Sequence, residues 1–195
     1  MLQATETWTV KEGTLCPFAI RSKIHDCTIN VQDESESTLQ QIKAEFLAFL
    51  TSKNFHEYDG FLIKLTIDFA QFQNLIAYFK KLVFFINKPE SLVDLENNDW
   101  RFSIENNSFF IIVLSRFYNE SSTRWCPEDH YILLQPEHSF HNNIPRDRRK
   151  DVINSIRKIF NKKGIIYENI VKEAKEAQKY IFPLNLDGEL INWWL

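Results

Sequence analysis

The stretch Trp100-Arg101-Phe102-Ser103-Ile104-Glu105-Asn106-Asn107-Ser108-Phe109-Phe110-Ile111-Ile112-Val113-Leu114 decides how the rest of the chain is read. Residues 100–104 alternate apolar and polar, the period of a half-buried strand. Residues 109–114 form a continuous apolar strand. Between them Glu105-Asn106-Asn107-Ser108 is a polar turn, so the spacing predicts a β-hairpin.

Outward from the hairpin, helices and strands follow in mixed order. Upstream, Cys27-Thr28-Ile29-Asn30-Val31 alternates and predicts a strand. Ser35 and Ser37, with Asp33 and Glu34, offer N-caps. Leu39, Ile42, Phe46, Leu47, Phe49 and Leu50 then recur at helical spacing, which predicts a helix over 36–53. Tyr58 to Ile67 reads as a buried strand. Asp68 is placed to cap a helix over 69–86, which Pro89 closes. Downstream, Tyr131-Ile132-Leu133-Leu134-Gln135 predicts a strand ended by Pro136. Pro145 opens a helix over 146–162 with Gly164 as its C-cap. A polar helix is expected over 168–179, and the aromatic end Ile191-Asn192-Trp193-Trp194-Leu195 is expected to tuck in. The order β-α-β-α-β-β-β-α predicts the α+β class, a mixed or antiparallel sheet with packed helices. No linker divides the 195 residues, so a single domain over 1–195 is expected, with 1–13 peripheral.

Composition narrows the function. Only 4 glycines occur, and neither GxGxxG nor GxxxxGK[ST] is present, which disfavours dinucleotide and P-loop chemistry. Net charge is −3, and the densest basic run, Arg146 to Lys150, is interrupted by Asp147, so no nucleic-acid partner is expected. The longest apolar runs are too short to span a bilayer, so no membrane partner is expected either. Three cysteines make no disulfide framework and fit a reducing compartment. With no signal peptide visible, the chain reads as cytoplasmic.

Several short motifs fall in one order along the chain. They are Leu15-Cys16-Pro17-Phe18-Ala19; Asp99-Trp100-Arg101-Phe102-Ser103 with Phe109 to Val113; Thr123-Arg124; Leu133-Leu134-Gln135-Pro136; and Arg149 to Phe160 followed by Lys179-Tyr180-Ile181-Phe182-Pro183. In that order they resemble the YqcI/YcgG family, proteins named for an FPC/CPF motif. The likeness spans most of the chain, although regions 20–40 and 86–99 look trimmed. The resemblance implies a heme pocket and a heme-dependent N-oxygenase that hydroxylates a guanidino or amino group of a small amino-acid-like substrate. The alternative within the same fold is a non-enzymatic heme- or small-molecule-binding protein. A homodimer is left open.

The resemblance also assigns candidates. Cys16, followed by Pro17, is a candidate axial ligand to heme iron. Tyr118 stands where the family pattern has a histidine and is the alternative axial ligand, since a phenolate can ligate heme iron. Arg124 is the candidate grip on a heme propionate or a substrate carboxylate. Read from the residues alone, Cys16 is a small turn cysteine and Arg124 a surface cation. Cys126 before Pro127, His25, and His138 with His141 at i, i+3 are weaker metal candidates; the last pair reads as loop without a third ligand. Arg116, Arg148 and Arg149 are weaker anion grips. Asp94 and Glu96 read as solvated carboxylates. No GxSxG elbow is present.

Overall fold

Five strands in the order β1-β2-β5-β4-β3 form one sheet in the computed structural model. The structure describes residues 19–127, 129–143, 146–165, 174–185 and 188–195. The strands are β1 (Ile24–Asp26), β2 (Gly60–Leu65), β3 (Phe102–Ile104), β4 (Asn107–Leu114) and β5 (His130–Pro136). The helices are α1 (Glu36–Leu50), α2 (Phe72–Asn87), α3 (Glu137–Asn143) and α4 (Arg149–Lys162). β1 runs parallel to β2, and the other neighbours are antiparallel, so the sheet is mixed and the α+β expectation holds. Among the described residues, no helix is long and apolar enough to cross a membrane.

The hairpin forms where the alternation places it. Phe102 pairs with Phe109 and Ile104 with Asn107. Glu105 and Asn106 make the turn at φ 49° and 61°. Two consecutive residues at positive φ match the twist of antiparallel strands, and Asn tolerates that region best among residues with a side chain. The turn is therefore two residues long rather than the four expected.

α1 begins where its caps say it should. Ser35 accepts a hydrogen bond from the Thr38 N–H, and Asp33 accepts from the Ser35 N–H and the Thr38 hydroxyl. α2 starts later than expected. Asp68 does not cap it; its carboxylate pairs with Arg116 at 2.5 Å instead, and Gln71 takes the cap position without a side-chain bond. The strand expected over 27–31 is displaced upstream to Ile24–Asp26. The reason is local: the Thr28 N–H and hydroxyl both bond the Glu45 carboxylate of α1, which pulls the backbone out of the sheet. Only Val31 returns, in a bridge to Leu65. The residues before Glu137 end as a strand, but 137–143 is helix, not the expected loop. The helix expected over 146–162 starts as a 3-10 turn at Arg146–Arg148 and becomes α at Arg149. Pro145 lies outside the described residues. Gly164 closes α4 at φ 72°, with its N–H bonded to the Asn161 carbonyl and the Ile165 N–H to Phe160. That pair of bonds is the Schellman pattern, and only a residue free of a Cβ adopts its φ cheaply. Residues 1–18 and 166–173 lie outside the described residues, so the peripheral segment and the first half of the polar helix do as well. In the described half, 174–179, the structure has only a 3-10 turn, Ala177–Lys179, in place of the expected helix.

α1 and α2 cover one face of the sheet. Phe46 of α1 packs on Phe61 and Phe109 at ring-centroid distances of 5.2 and 5.3 Å. Leu75, Phe79 and Leu82 of α2 join the same core with Ile63, Leu65, Ile111, Val113, Ile132 and Leu134. Full burial of each such side chain contributes about 1.5–3 kcal/mol. The opposite strand positions, Leu62, Tyr131, Leu133 and Leu114, gather with Ile24 around Cys126.

β3 is much shorter than β4, so the far half of β4, paired with β5 on one side, has no strand on its β3 side. The C-terminal segment supplies the missing partner. The Val113 N–H donates to the Tyr180 carbonyl at 3.1 Å. The Tyr180 hydroxyl sits between the two hairpin strands, accepting from the Phe102 N–H at 3.0 Å and donating to the Phe109 carbonyl at 3.2 Å. Trp193 and Trp194 then close over α2, as the aromatic end predicts. Trp193 packs on Phe79 at 4.9 Å and donates to the Ala177 carbonyl, and Trp194 donates to Glu96. Tyr180→Phe removes the bridging hydroxyl and strands a buried backbone N–H. It should lower stability by about 1–3 kcal/mol in denaturant unfolding, with little change in slope.

Candidate functional site

The connection from β4 to β5, residues 115–129, carries two of the three side chains singled out for heme. It is anchored by Ser115, whose N–H donates to the Arg124 carbonyl while its own carbonyl accepts from the Cys126 N–H. This folds the loop back on itself and brings Tyr118 and Arg124 to the same target. The Tyr118 hydroxyl donates to the Phe182 carbonyl at 3.0 Å and accepts from the Phe182 N–H at 3.1 Å. Arg124 donates through Nη2 to the Lys179 carbonyl at 3.0 Å, and its guanidinium lies 4.5 Å from the centre of the Phe182 ring. Both side chains are buried, at 3% and 6% exposure. The sequence offers Tyr118 as a candidate axial ligand and Arg124 as a candidate propionate or carboxylate grip. The structure aims both of them at the C-terminal segment.

These positions bear directly on the implied heme. An iron at Tyr118 would have to displace the Phe182 backbone from both of its bonds. A propionate at Arg124 would have to displace the Lys179 carbonyl and enter a buried space. As placed, Tyr118 and Arg124 do not fit a porphyrin. Cys16, the other axial candidate, lies outside the described residues. The Phe-rich wall of α1 and α2 is closed core: Phe46 and Phe79 have no exposed surface.

The remaining sequence candidates are placed as follows. His25 is packed among Phe49, Tyr58 and Phe61. Gln135 donates to the Ser139 hydroxyl. Cys126 is buried. Burial, the largest influence, pushes the Cys27 thiol up to about 12, so it is not a ready nucleophile. Asp94 is the N3 carboxylate of a capping box with Ser91. Glu96 is not simply solvated: it accepts from Lys175 and from the Trp194 indole. Arg148 precedes α4 without a side-chain cap bond.

One polar pair was missed. Ser115 Oγ and His130 Nδ1 lie 2.8 Å apart, with Ser115 at 0% and His130 at 2% exposure. The Phe117 ring stacks on the imidazole at 5.0 Å, and Phe69 meets it edge-on at 5.4 Å. His130 Nε2 is buried without a hydrogen-bond partner. Strand alternation could have found it, since His130, Ile132 and Leu134 are i, i+2 and i+4 and so point to one face. A serine beside a histidine is the start of nucleophilic catalysis, but full burial leaves no approach for a substrate. The pair instead joins the end of β4 to the start of β5.

One open feature is a cleft of about 270 Å³ where the end of α2 meets the start of β3. Trp100 forms its apolar wall. Lys88 and Arg101 contribute cations, and Glu90 and Asp94 carboxylates. Asn87 donates to the Ser103 carbonyl and fixes the floor. Arg101 is held by Glu137 at 2.6 Å across the hairpin.

Two outcomes follow from this geometry. Tyr118→Phe should cost about 1–3 kcal/mol and raise amide exchange at Phe182, because a buried N–H and carbonyl lose their shared partner. His130 titrates abnormally: burial first, and the Arg116 charge second, lower its pKa to about 4. The folded-state value lies below the ordinary 6.5, so the fold favours neutral His130. The contribution of neutral His130 is complete above pH 6.5 and is lost as pH falls toward 4, on the order of 3 kcal/mol in all. Between pH 6.5 and 5, His130→Gln should flatten that slope in denaturant titrations.

No family model matches the chain, and neither a curated protein nor a solved structure matches it.

Proposed function

We propose that this protein is a non-enzymatic binding module for a small zwitterionic, amino-acid-like molecule. The observation that carries the reading is the cleft between α2 and β3, lined by Lys88, Glu90, Asp94, Trp100 and Arg101, with Arg101 paired to Glu137 and Asp94 bonded to the Ser91 N–H. A ligand with both an amino and a carboxyl group matches both signs of charge. The planar guanidinium of Arg101 suits a carboxylate, and the Trp100 ring suits an aliphatic or guanidino side chain. The size favours the same conclusion. Pockets that enclose drug-sized ligands measure about 300–1,000 Å³, so a cleft of about 270 Å³, just below that range, suits a molecule no larger than an amino acid and is too small to enclose a porphyrin.

Catalysis is disfavoured for a separate reason. Tyr118, Arg124 and the Ser115–His130 pair hold the backbone or each other in the interior. The heme-dependent N-oxygenase implied by the YqcI/YcgG resemblance then rests on Cys16 and on the order of the motifs.

Calorimetric titration with arginine, lysine and other amino acids tests the reading. Binding is expected, weakened at least fivefold by Lys88→Gln and by Glu90→Gln, both exposed positions that leave the core intact. Absence of binding at millimolar ligand, or unchanged affinity in both variants, overturns it. A Soret band after expression with a heme precursor, lost in Cys16→Ala and retained in Tyr118→Phe, would replace it with the oxygenase reading.

A further inference from the structure

At the other corner of the same sheet end, two imidazoles face each other. His56 lies in the 3-10 turn Phe55–Glu57 that leads into β2, and His138 lies in the first turn of α3, just after β5. They are 82 residues apart in sequence, yet their ring centroids are 5.1 Å apart with planes at 64°. The antiparallel pairing of β2 and β5 produces this meeting, because it sets the beginning of one strand beside the end of the other. Phe55 is buried beneath them and touches both rings, at 5.1 and 4.9 Å, which fixes their separation from below.

The chemistry of His138 is also set. Its Nε2 lies 3.1 Å from the Tyr58 carbonyl. A carbonyl only accepts, so Nε2 carries the hydrogen and Nδ1 carries the lone pair. That is the outer hydrogen bond by which proteins orient a metal-binding imidazole and raise its basicity as a ligand. His56 is exposed.

We propose that His56 and His138 form a two-histidine site for a divalent borderline metal ion, with solvent completing the coordination. The separation carries this. With a metal–nitrogen distance near 2.0–2.1 Å, two imidazoles at a tetrahedral angle have ring centroids roughly 5 Å apart, whereas two on opposite sides of one iron stand roughly 6.4 Å apart. The observed 5.1 Å fits the first arrangement. It is therefore compatible with a cis pair on a Zn(II), Ni(II) or Cu(II) ion and shorter than the bis-histidine ligation of a heme requires. Imidazole suits all three metals, and affinity should rise toward Cu(II). Among the described residues, no group of three or more His, Cys, Asp or Glu side chains is placed to hold a metal, so the site is a two-residue one with open positions. It is independent of the amino-acid cleft and of any heme.

Metal-free protein titrated with Zn(II), Ni(II) and Cu(II) by calorimetry should bind one equivalent of each, most tightly Cu(II). On Zn(II) binding, the ring protons of His56 and His138 should shift in NMR spectra while those of His130 stay in place. His56→Asn and His138→Asn should each weaken binding at least tenfold, and the double variant should abolish it. His56 is exposed, so its replacement is informative even where a His138 variant disturbs α3. Unchanged affinity in His56→Asn, shifts confined to other histidines, or no binding at all would overturn the proposal.

Discussion

β4 is eight residues long and its hairpin partner β3 is three. That mismatch governs much of the structure. A strand edge buried without a partner leaves backbone donors and acceptors unsatisfied, each costing about as much as a lost hydrogen bond. The chain resolves this by bringing Tyr180 of the C-terminal segment against the unpaired side of β4. The Val113 bond to Tyr180 is the direct contact, and every other feature of the segment serves to keep it there. Tyr180 reaches between the hairpin strands, Tyr118 brackets the backbone of Phe182, and Arg124 holds the Lys179 carbonyl and covers the Phe182 ring. The tryptophan pair at 193–194 fastens the segment to α2. Exposed ion pairs such as Arg101–Glu137, with both side chains nearly half exposed, add little beside these buried bonds.

This explains why the chemistry-bearing residues of the sequence mislead. Tyr118 and Arg124 stand out because a phenol and a guanidinium are versatile groups, and the motifs that place them say nothing of what they face. Their partners lie 64 and 55 positions downstream. No local pattern encodes contacts of that span. A tyrosine that ligates a metal and a tyrosine that brackets a peptide group have the same neighbours in sequence. The difference is made by the missing strand beside β4, which depends on where β3 ends.

The fold was far more legible. Each long periodic segment appears as the element its period predicts: α1 from the recurrence of Leu39, Ile42, Phe46 and Phe49, and β4 and β5 from their apolar runs. The misses occur where side chains compete with the backbone. Glu45 captures Thr28 and displaces β1 upstream. Arg116 captures Asp68 and deprives α2 of its cap. In both cases a carboxylate with an ordinary local role is recruited across the fold, which is the long-range kind of contact that periodicity cannot see. His130 is the converse case, since its burial follows from simple alternation with Ile132 and Leu134 once the strand is extended by one residue.

The two ends of the sheet divide the polar groups by role. At one end, β4 finishes and β5 begins, and there Ser115, His130, Tyr118 and Arg124 all face inward on one another or on the C-terminal segment. At the opposite end, the pairings Phe61–Leu134, Phe109–Pro136 and Phe102–Phe109 bring the starts of β2, β4 and β3 level with the close of β5. The Trp100 cleft opens there, and so does the His56–His138 pair, with Arg101 and Glu137 joined between them. Buried polar groups must be satisfied from within, and each one so engaged is withdrawn from any ligand. Polar groups at the open end lie nearer solvent, and Lys88, Glu90 and His56 there are exposed, so ligand recognition by this fold belongs there. Its chemistry is set by an indole, two imidazoles and charges of both signs, and it does not draw on the residues that close the far end.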